Sequence, residues 1–247
     1  LADSYDRGTT WSDWRVVPLP DDVGPPSLTC PIMRLPDGTL LMSIETNKPY
    51  EAPGKWYQRV VYFRSTDGGQ TWGDSSDAGR DPTGRIRNWD QRAAVAGDGR
   101  IVTFTWTYDS ETGQFANIHR RLSNDGGRTW TAPADIGVAD QAAHPAILPD
   151  GRLVLAWVDR FQTHSIRARQ APSIEADLEA ASEVVIYSHL TARPEDADEQ
   201  GALGGPVWTY GLPYAEALPD GDVLVVYYAG DSERLMHSHW ARLRLNG

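Results

Sequence analysis

The segment Ser123-Asn124-Asp125-Gly126-Gly127-Arg128-Thr129-Trp130 is one of three related octapeptides in this chain. The others are Ser65-Thr66-Asp67-Gly68-Gly69-Gln70-Thr71-Trp72 and the looser Ser4-Tyr5-Asp6-Arg7-Gly8-Thr9-Thr10-Trp11, and all three fit the pattern S-x-D-x-G-x-T-W. The Asp carboxylate can accept hydrogen bonds from later backbone N–H groups, a Gly permits a positive φ, and the Trp ring can pack beneath the turn. Because the Asp residues recur after 61 and 58 residues, the pattern predicts a repeat fold.

A second repeat lies between these octapeptides and consists of an apolar run, an Asp-Gly pair and another apolar run. The four pairs are Asp37-Gly38, Asp98-Gly99, Asp150-Gly151 and Asp220-Gly221. Asp-Gly between apolar runs is a strong signal for a β-hairpin. The runs are almost continuously apolar, which predicts strands that are buried on both faces.

The two repeats alternate at a regular phase, which predicts units of four antiparallel strands. Such units are the blades of a β-propeller. We expect blades at residues 31–77, 90–136, 144–187 and 210–247, within a single domain that spans residues 1–247. The chain opens on what reads as the last strand of a preceding blade, and its final blade lacks that strand. Two arrangements follow: a four-bladed ring closed by the N-terminal strand, or a larger propeller without its first blades.

The composition restricts the classes of function. The net charge of −11 disfavours nucleic acid and anionic membranes as partners, and no apolar run reaches the length of a membrane span. The single cysteine excludes an internal disulfide. Neither zinc-ligand spacing nor a phosphate-binding glycine motif occurs, so we expect no metal and no cofactor. The chain begins at Leu1 without a signal peptide, and neither its compartment nor its oligomeric state is indicated.

The loops before the first strand of each blade and after its second strand are expected to converge at one mouth of the channel. They are rich in carboxylates, arginines and aromatic rings, the side chains of a sugar-binding site. Each candidate also has a structural alternative, such as pairing of one charge with another or packing of a ring. The candidates are Glu45, Trp89, Asp90, Arg92, His144, Asp159, Arg160, Tyr210 and Asp231.

Taken together, these motifs resemble the sialidase-like superfamily of Asp-box (BNR) β-propellers, and a bacterial branch of exo-α-sialidase-like proteins in particular. The resemblance extends over essentially the whole chain. It is carried by the three octapeptides and by Leu35-Pro36-Asp37-Gly38, Trp89-Asp90-Gln91-Arg92, His144-Pro145-Ala146-Ile147-Leu148-Pro149-Asp150-Gly151 and Trp240-Ala241-Arg242-Leu243-Arg244-Leu245. Propellers of that family have six blades, so the resemblance implies that this chain carries the last strand of blade two followed by blades three to six.

The resemblance also implies roles for some candidates. Tyr210 stands where sialidases carry their tyrosine nucleophile, and Glu45 is the candidate for its base. The chain departs from the family in lacking the N-terminal Phe-Arg-Ile-Pro segment and the early acid/base Asp. The three carboxylate-binding arginines of the family cannot all be matched either.

The resulting working hypothesis is a sialidase-like glycoside hydrolase that acts on an acidic or complex glycan or a small sugar. Glu45, Asp90 and Tyr210 would be catalytic, and the other candidates would bind the substrate. One alternative is a carbohydrate-binding or scaffold propeller without turnover. Another is a different reaction on the same fold, such as uronide elimination. An arginine cluster in the cavity would favour an anionic sugar, and its absence would argue against sialic acid.

Overall fold

The computed structural model describes residues 1–49, 51–189, 208–232 and 235–245. They form four antiparallel sheets that follow one another along the chain and lie as blades in a ring. The all-β propeller predicted from the two repeats is therefore confirmed. None of the helical turns in this described part is long or apolar enough to cross a membrane.

Each blade is built mainly from sequence neighbours. Blade 1 contains β1 Pro26–Ser27, β2 Met33–Arg34, β3 Leu40–Thr46, β4 Arg59–Ser65 and β5 Gly73–Arg80. Blade 2 contains β6 Ile86–Val95, β7 Ile101–Asp109, β8 Gln114–Phe115, β9 His119–Ser123 and β10 Ala134–Asp135. Blade 3 contains β11 Gln141–Ala142, β12 Ala146–Ile147, β13 Leu153–Asp159, β14 Ser165–Ala171 and β15 Val184–Ser188. Blade 4 contains β16 Tyr210–Ala217, β17 Val223–Ser232 and β18 Leu235–Leu243.

The first strand of a blade takes one of two forms. In blades 2 and 4 it is one strand, β6 or β16, whereas in blades 1 and 3 it is divided into two short pieces that pair with the same second strand. The long strands β6 and β16 each contain an irregularity in register, between Trp89 and Arg92 and between Gly211 and Tyr214. The candidate residues Trp89, Asp90, Arg92 and Tyr210 lie at or next to these irregularities.

The octapeptide turns (residues 4–11, 65–72 and 123–130) have the predicted geometry. In the third turn the Asp125 carboxylate accepts hydrogen bonds from the Thr129 backbone N–H at 2.9 Å and from its hydroxyl at 2.6 Å. The same two bonds occur in the other copies. They hold the pKa of each of the three Asp carboxyls well below its ordinary value.

The turns at residues 65–72 and 123–130 are each joined by an arginine to the element that precedes them. Arg64 of blade 1 donates to the Gly126 carbonyl oxygen in the turn of blade 2 at 3.0 Å. Arg15 donates in the same way to the Gly69 carbonyl oxygen in the turn of blade 1 at 2.8 Å. The N-terminal segment therefore occupies, relative to blade 1, the place that blade 1 occupies relative to blade 2.

This N-terminal segment differs from the prediction in one respect. We expected a strand after Trp11, but residues 1–20 contain no strand. The segment instead folds back on itself through isolated backbone hydrogen bonds, from the Ser12 N–H to the Asp3 carbonyl and from the Arg15 N–H to the Leu1 carbonyl. The partly buried side chains that follow pack against an apolar cluster on blade 1.

The Asp-Gly hairpins are confirmed at all four predicted places. In blade 1 the Gly38 N–H donates to the Leu35 carbonyl oxygen, and the Asp37 carboxylate accepts from the Thr39 N–H. Gly38 has a φ of 90°, which an L side chain rarely adopts. The equivalent glycines of the other blades have φ values of 87–91°. The turn is therefore a type I turn followed by a left-handed glycine, which closes a three-residue hairpin.

Buried apolar clusters lie between consecutive blades and hold them together. The cluster between blades 2 and 3 includes Phe104 and Trp157, and that between blades 3 and 4 includes Ala168 and Val225. Blade 4 presents its other face to solvent, where Val226 is 40% and Trp240 is 70% exposed. The sequence predicts a polar, glycine-rich surface loop at residues 192–205, and this segment lies outside the described residues.

A matched pair of variants tests the octapeptide turns. The Ser123 hydroxyl accepts from the buried Gly127 N–H at 2.8 Å, and the Ser4 hydroxyl accepts from the exposed Gly8 N–H at 2.7 Å. Ser123→Ala leaves a buried donor unsatisfied and should lower the free energy of unfolding by roughly 1–3 kcal/mol. Ser4→Ala should cost much less, because water can reach its N–H group. Urea unfolding measures both, and equal losses would contradict this account of the turn.

Candidate active site

The candidate site begins at the irregularity in β6. The register between β6 and β7 shifts between Trp89 and Arg92, and Asp90 within the shift has a φ of 45°. A left-handed backbone at a residue with a side chain is uncommon, and bulges of this kind redirect side chains near functional sites. Here both Trp89 and Asp90 line the same cavity, although consecutive residues of a regular strand point to opposite faces.

Glu45 lies at the end of β3 and lines this cavity from blade 1. Its side chain is almost fully buried. One carboxylate oxygen accepts hydrogen bonds from the Gln91 backbone N–H at 2.7 Å and from the Thr29 hydroxyl at 2.6 Å. Burial raises the pKa of Glu45 from its usual 4.5 to about 7, and the negative charge of Asp90 adds to the increase. The hydrogen bonds and the positive charge of Arg92 only partly oppose it.

Asp90 is held by its neighbours in blades 2 and 3. Its carboxylate accepts a hydrogen bond from the Gln141 side-chain amide, and the Arg92 guanidinium lies 4.0 Å away. Gln141 accepts in turn from the buried Arg160 guanidinium at 2.6 Å. Asp90 is thus fixed by a chain of hydrogen bonds that starts in blade 3.

The cavity between these carboxylates is walled by aromatic rings. It has a volume of about 570 Å³, and its polar walls include Ser27, Asn47 and Arg87. Among the described residues, six rings line it: Trp56, Trp89, Trp106, Tyr108, Phe115 and Trp208. Flat apolar walls with a few convergent polar groups are typical of small-molecule sites. Sugars present such faces, because their axial C–H groups form apolar patches.

The rings support one another in fixed orientations. Trp89 stacks on Tyr108 with centroids 5.1 Å apart and an interplanar angle of 19°. Trp106 stacks on Phe115 at 4.3 Å and 17°. Trp208 lies 6.2 Å from Trp106, and the Arg160 guanidinium lies over its ring at 4.2 Å. Because each ring is packed against another, their faces are pre-oriented before any ligand arrives.

Of the remaining candidates whose side chains the structure describes, none lines this cavity. Tyr210 is fully buried between blades 3 and 4, where its ring stacks on His189 at 4.9 Å. Burial raises the pKa of the Tyr210 phenol well above its usual value. His144 lines the separate central channel and stacks on Tyr214 at 4.3 Å, and burial lowers the pKa of its imidazole to about 4.

Arg160, Asp159 and Asp231 have other positions. Arg160 is enclosed and donates to the Tyr210 carbonyl oxygen at 2.8 Å, so it supports the site from behind. The Asp159 carboxylate accepts from the Gln162 N–H and the Thr163 hydroxyl and shapes the loop after β13. Asp231 lies near the end of β17, and its side chain is outside the described part of the structure.

Sequence reasoning did not select several residues that line the cavity. Trp56 lies in the loop between β3 and β4, and Phe115 lies in β8, beyond the strand ends from which candidates were taken. Arg87 precedes Trp89 by two residues and shares its side of β6, so strand alternation could have indicated it. Trp208 stands two residues before the predicted Tyr210, and it lines the cavity whereas Tyr210 does not.

Solved structures of other proteins share the fold of this chain. No family model and no curated protein sequence matches the chain. Among solved structures, a protein of unknown function from Dyadobacter fermentans superposes with a TM-score of 0.76 at 22% identity, over 99% of this chain and 63% of that one. The NanB sialidase from Streptococcus pneumoniae gives 0.64 at 18% identity, over 99% and 35%. The α-L-arabinofuranosidase Arb93A from Fusarium graminearum gives 0.56 at 16% identity, over 85% and 60%.

These similarities establish a β-propeller of the sialidase type. This chain spans between about a third and two thirds of the length of the three proteins named. At such low identity the similarity concerns the fold alone.

The raised pKa of Glu45 leads to a prediction about stability. A group whose pKa is higher in the folded state contributes stability that is present below the unfolded value, near 4.5, and lost as the pH rises through about 7. Glu45→Gln removes this contribution. The stability of the wild type relative to Glu45→Gln should therefore fall between pH 5 and pH 8, by on the order of 3 kcal/mol.

Urea unfolding of both proteins at the two pH values measures this difference, with Glu179→Gln as the control for loss of an exposed glutamate. A wild-type-to-variant difference that is the same at pH 5 and pH 8 would show that Glu45 titrates normally.

Proposed function

We propose that this protein is a glycoside hydrolase that binds a sugar ring in the aromatic cavity between blades 1 and 2. The observation that carries the proposal is the presence of two carboxyl groups, Glu45 and Asp90, in one cavity walled by six aromatic rings. Glycosidases use a pair of carboxyl groups on either side of the scissile bond. Aromatic faces hold the sugar between them.

The two carboxyl groups are suited to different roles. Glu45 retains its proton up to about pH 7, so it is suited to protonate the leaving oxygen as the general acid. Asp90, fixed by Gln141 and close to Arg92, is suited to act as the partner carboxylate that stabilises positive charge or activates water. The two carboxyl groups thus lie in different environments. In glycosidases such a difference makes one carboxyl group the acid and the other the base or nucleophile.

The aromatic walls determine how a sugar would be oriented. Trp89 is adjacent in sequence to Asp90, and the bulge places both at the cavity wall. A sugar stacked on Trp89 would therefore present its edge to the carboxyl groups. Trp106 lies edge-on to Trp89, with centroids 6.5 Å apart, and Trp208 lies 6.2 Å beyond it, so these rings continue the aromatic wall.

A sialidase is the finer form of the proposal and rests on the similarity to sialidase structures. The cavity supports it less than it supports glycoside hydrolysis in general. Of the described residues lining the cavity, Arg87 alone is cationic, and Tyr210 is enclosed elsewhere. The proposal therefore assigns catalysis to Glu45 and Asp90 and gives Tyr210 no direct contact with the sugar.

A second candidate function is carbohydrate binding without turnover. The stacked rings favour it independently, because they would hold a sugar whether or not the carboxyl groups react. The two functions make different demands on Glu45: hydrolysis needs its proton, whereas binding needs only a hydrogen-bonding side chain of the same shape.

The test is a turnover assay on a panel of fluorogenic glycosides that includes neutral pyranosides, furanosides, uronides and an α-sialoside. Glu45→Gln should reduce kcat by roughly 10²–10⁴-fold while leaving binding nearly unchanged, because it removes only the transferable proton. The wild-type rate should decline as the pH rises above about 7, where Glu45 loses its proton. Glu179→Gln serves as the control.

Trp89→Ala separates binding from catalysis. It should weaken sugar binding by roughly tenfold, since the stacking face is lost, and Trp11→Ala, at a distant exposed ring, should not. Sugar binding that needs Trp89 but never leads to cleavage would establish the non-catalytic function. Cleavage that survives Glu45→Gln would overturn the assignment of the acid.

A further inference from the structure

A second cavity adjoins the first and differs from it in charge. It has a volume of about 700 Å³ and shares Ser27, Asn47, Trp56 and Arg87 with the aromatic cavity. Its charged lining residues in the described structure are Lys48, Lys55 and Arg87, all of them cationic. The first cavity carries Glu45 and Asp90 instead. Two connected cavities of opposite charge thus lie side by side on a protein whose net charge is −11.

Arg87 stands in the wall between them and is held without an anion. Its guanidinium lies over the face of Trp56, 4.8 Å from the ring centroid, and 5.7 Å from that of Tyr108. Within the described residues no hydrogen bond or ion pair to its side chain occurs, and its Nε is enclosed. Aromatic faces orient a guanidinium but leave the N–H groups at its edge available for a planar anion.

Other arginines nearby are already paired. Arg85 donates to both carboxylate oxygens of Asp109, at 2.9 and 2.5 Å, and lies 3.2 Å from Glu111. Arg59 pairs with Asp22 at 2.7 Å. Asp109, Glu111 and Asp22 therefore have arginine partners of their own, and no carboxylate of the described residues forms an ion pair with Arg87.

The two lysines complete a basic lining. The Lys48 ammonium donates to the carbonyl oxygens of Ala52 and Gly54, at 2.6 and 2.7 Å, and keeps one donor for a ligand. Lys55 has no hydrogen bond or ion pair with any described residue. Its carbon chain lies beside Gly84, which also lines the cavity.

We propose that this second cavity is a subsite for a negatively charged sugar unit, bearing a carboxylate or a sulfate, next to the unit held between Glu45 and Asp90. The inference deepens the proposed function and rests on it, because both units belong to one glycan. The carboxyl groups of the first cavity disfavour an anion there. Arg87 receives the anion bidentately from the shared wall, and Lys55 adds a second positive charge.

The test compares three probes that differ in one group: a trisaccharide with a terminal glucuronic acid, the same trisaccharide with that carboxylate reduced to an alcohol, and its 6-O-sulfated form. Quenching of tryptophan fluorescence reports binding, since Trp56 lies directly beneath Arg87. The anionic probes should bind at least tenfold more tightly than the neutral one at low salt, and added salt should reduce the difference.

Variants locate the effect. Arg87→Gln and Lys55→Gln should each reduce the preference for the anionic probes several-fold, and Lys55→Gln, which lines only the second cavity, should leave binding of the neutral probe within about twofold. Arg244→Gln changes the net charge equally at an exposed position on blade 4 and should preserve the preference. Comparison of the carboxylate and sulfate probes identifies which anion the subsite prefers.

The outcomes separate this inference from the proposed function. Equal binding of the neutral and anionic probes, or a preference that survives Arg87→Gln, overturns the subsite even if the enzyme cleaves glycosides. A preference that depends on Arg87 in a protein that cleaves none of the panel establishes the subsite and overturns hydrolysis.

Discussion

The side-chain amide of Gln91 is the contact on which the site depends. It lies in the interface between blades 1 and 2, almost fully buried, and its oxygen accepts from the Ser43 hydroxyl at 2.6 Å. Its nitrogen donates to the Tyr62 and Thr103 hydroxyls at 2.5 and 2.8 Å. The backbone N–H of Gln91 donates a hydrogen bond to the Glu45 carboxylate. A buried amide with all these partners in place fixes the bulge and both blades in one relative position.

A second chain of contacts brings blade 3 into the same arrangement. Arg160 donates to Gln141, and Gln141 donates to Asp90. The two carboxyl groups are therefore positioned by different blades, Glu45 by the interface with blade 2 and Asp90 by the interface with blade 3. Their separation is a property of how the blades are assembled, and so substitutions between blades can alter the chemistry without touching the cavity.

Much of the fold could be predicted from the sequence because its decisive signals are local. Asp turns and Asp-Gly hairpins are specified by residues a few positions apart. Glu45 and Asp90 could be selected because the sequence predicts both at strand ends that a propeller brings to one mouth, although Asp90 lies at the bulge inside β6. Side-chain direction could not be read the same way: a bulge turns Asp90 into the cavity, while Tyr210, at an equivalent strand end, enters the packing between blades. Trp56 reaches the cavity from the loop between β3 and β4, and Arg87 reaches it from β6. Neither residue belongs to one of the repeat motifs.

Cys30 offers a consequence of a different kind. Its thiol is buried between blades 1 and 2 and lies 3.7 Å from the Ala93 carbonyl oxygen, and burial raises its pKa to about 11. A buried thiol with a high pKa reacts slowly with alkylating reagents. Because it is the single cysteine of the chain, its modification can be followed without interference from other thiols. The rate at which it is modified reports how often the first two blades part, at the same interface that sets the position of the carboxyl groups.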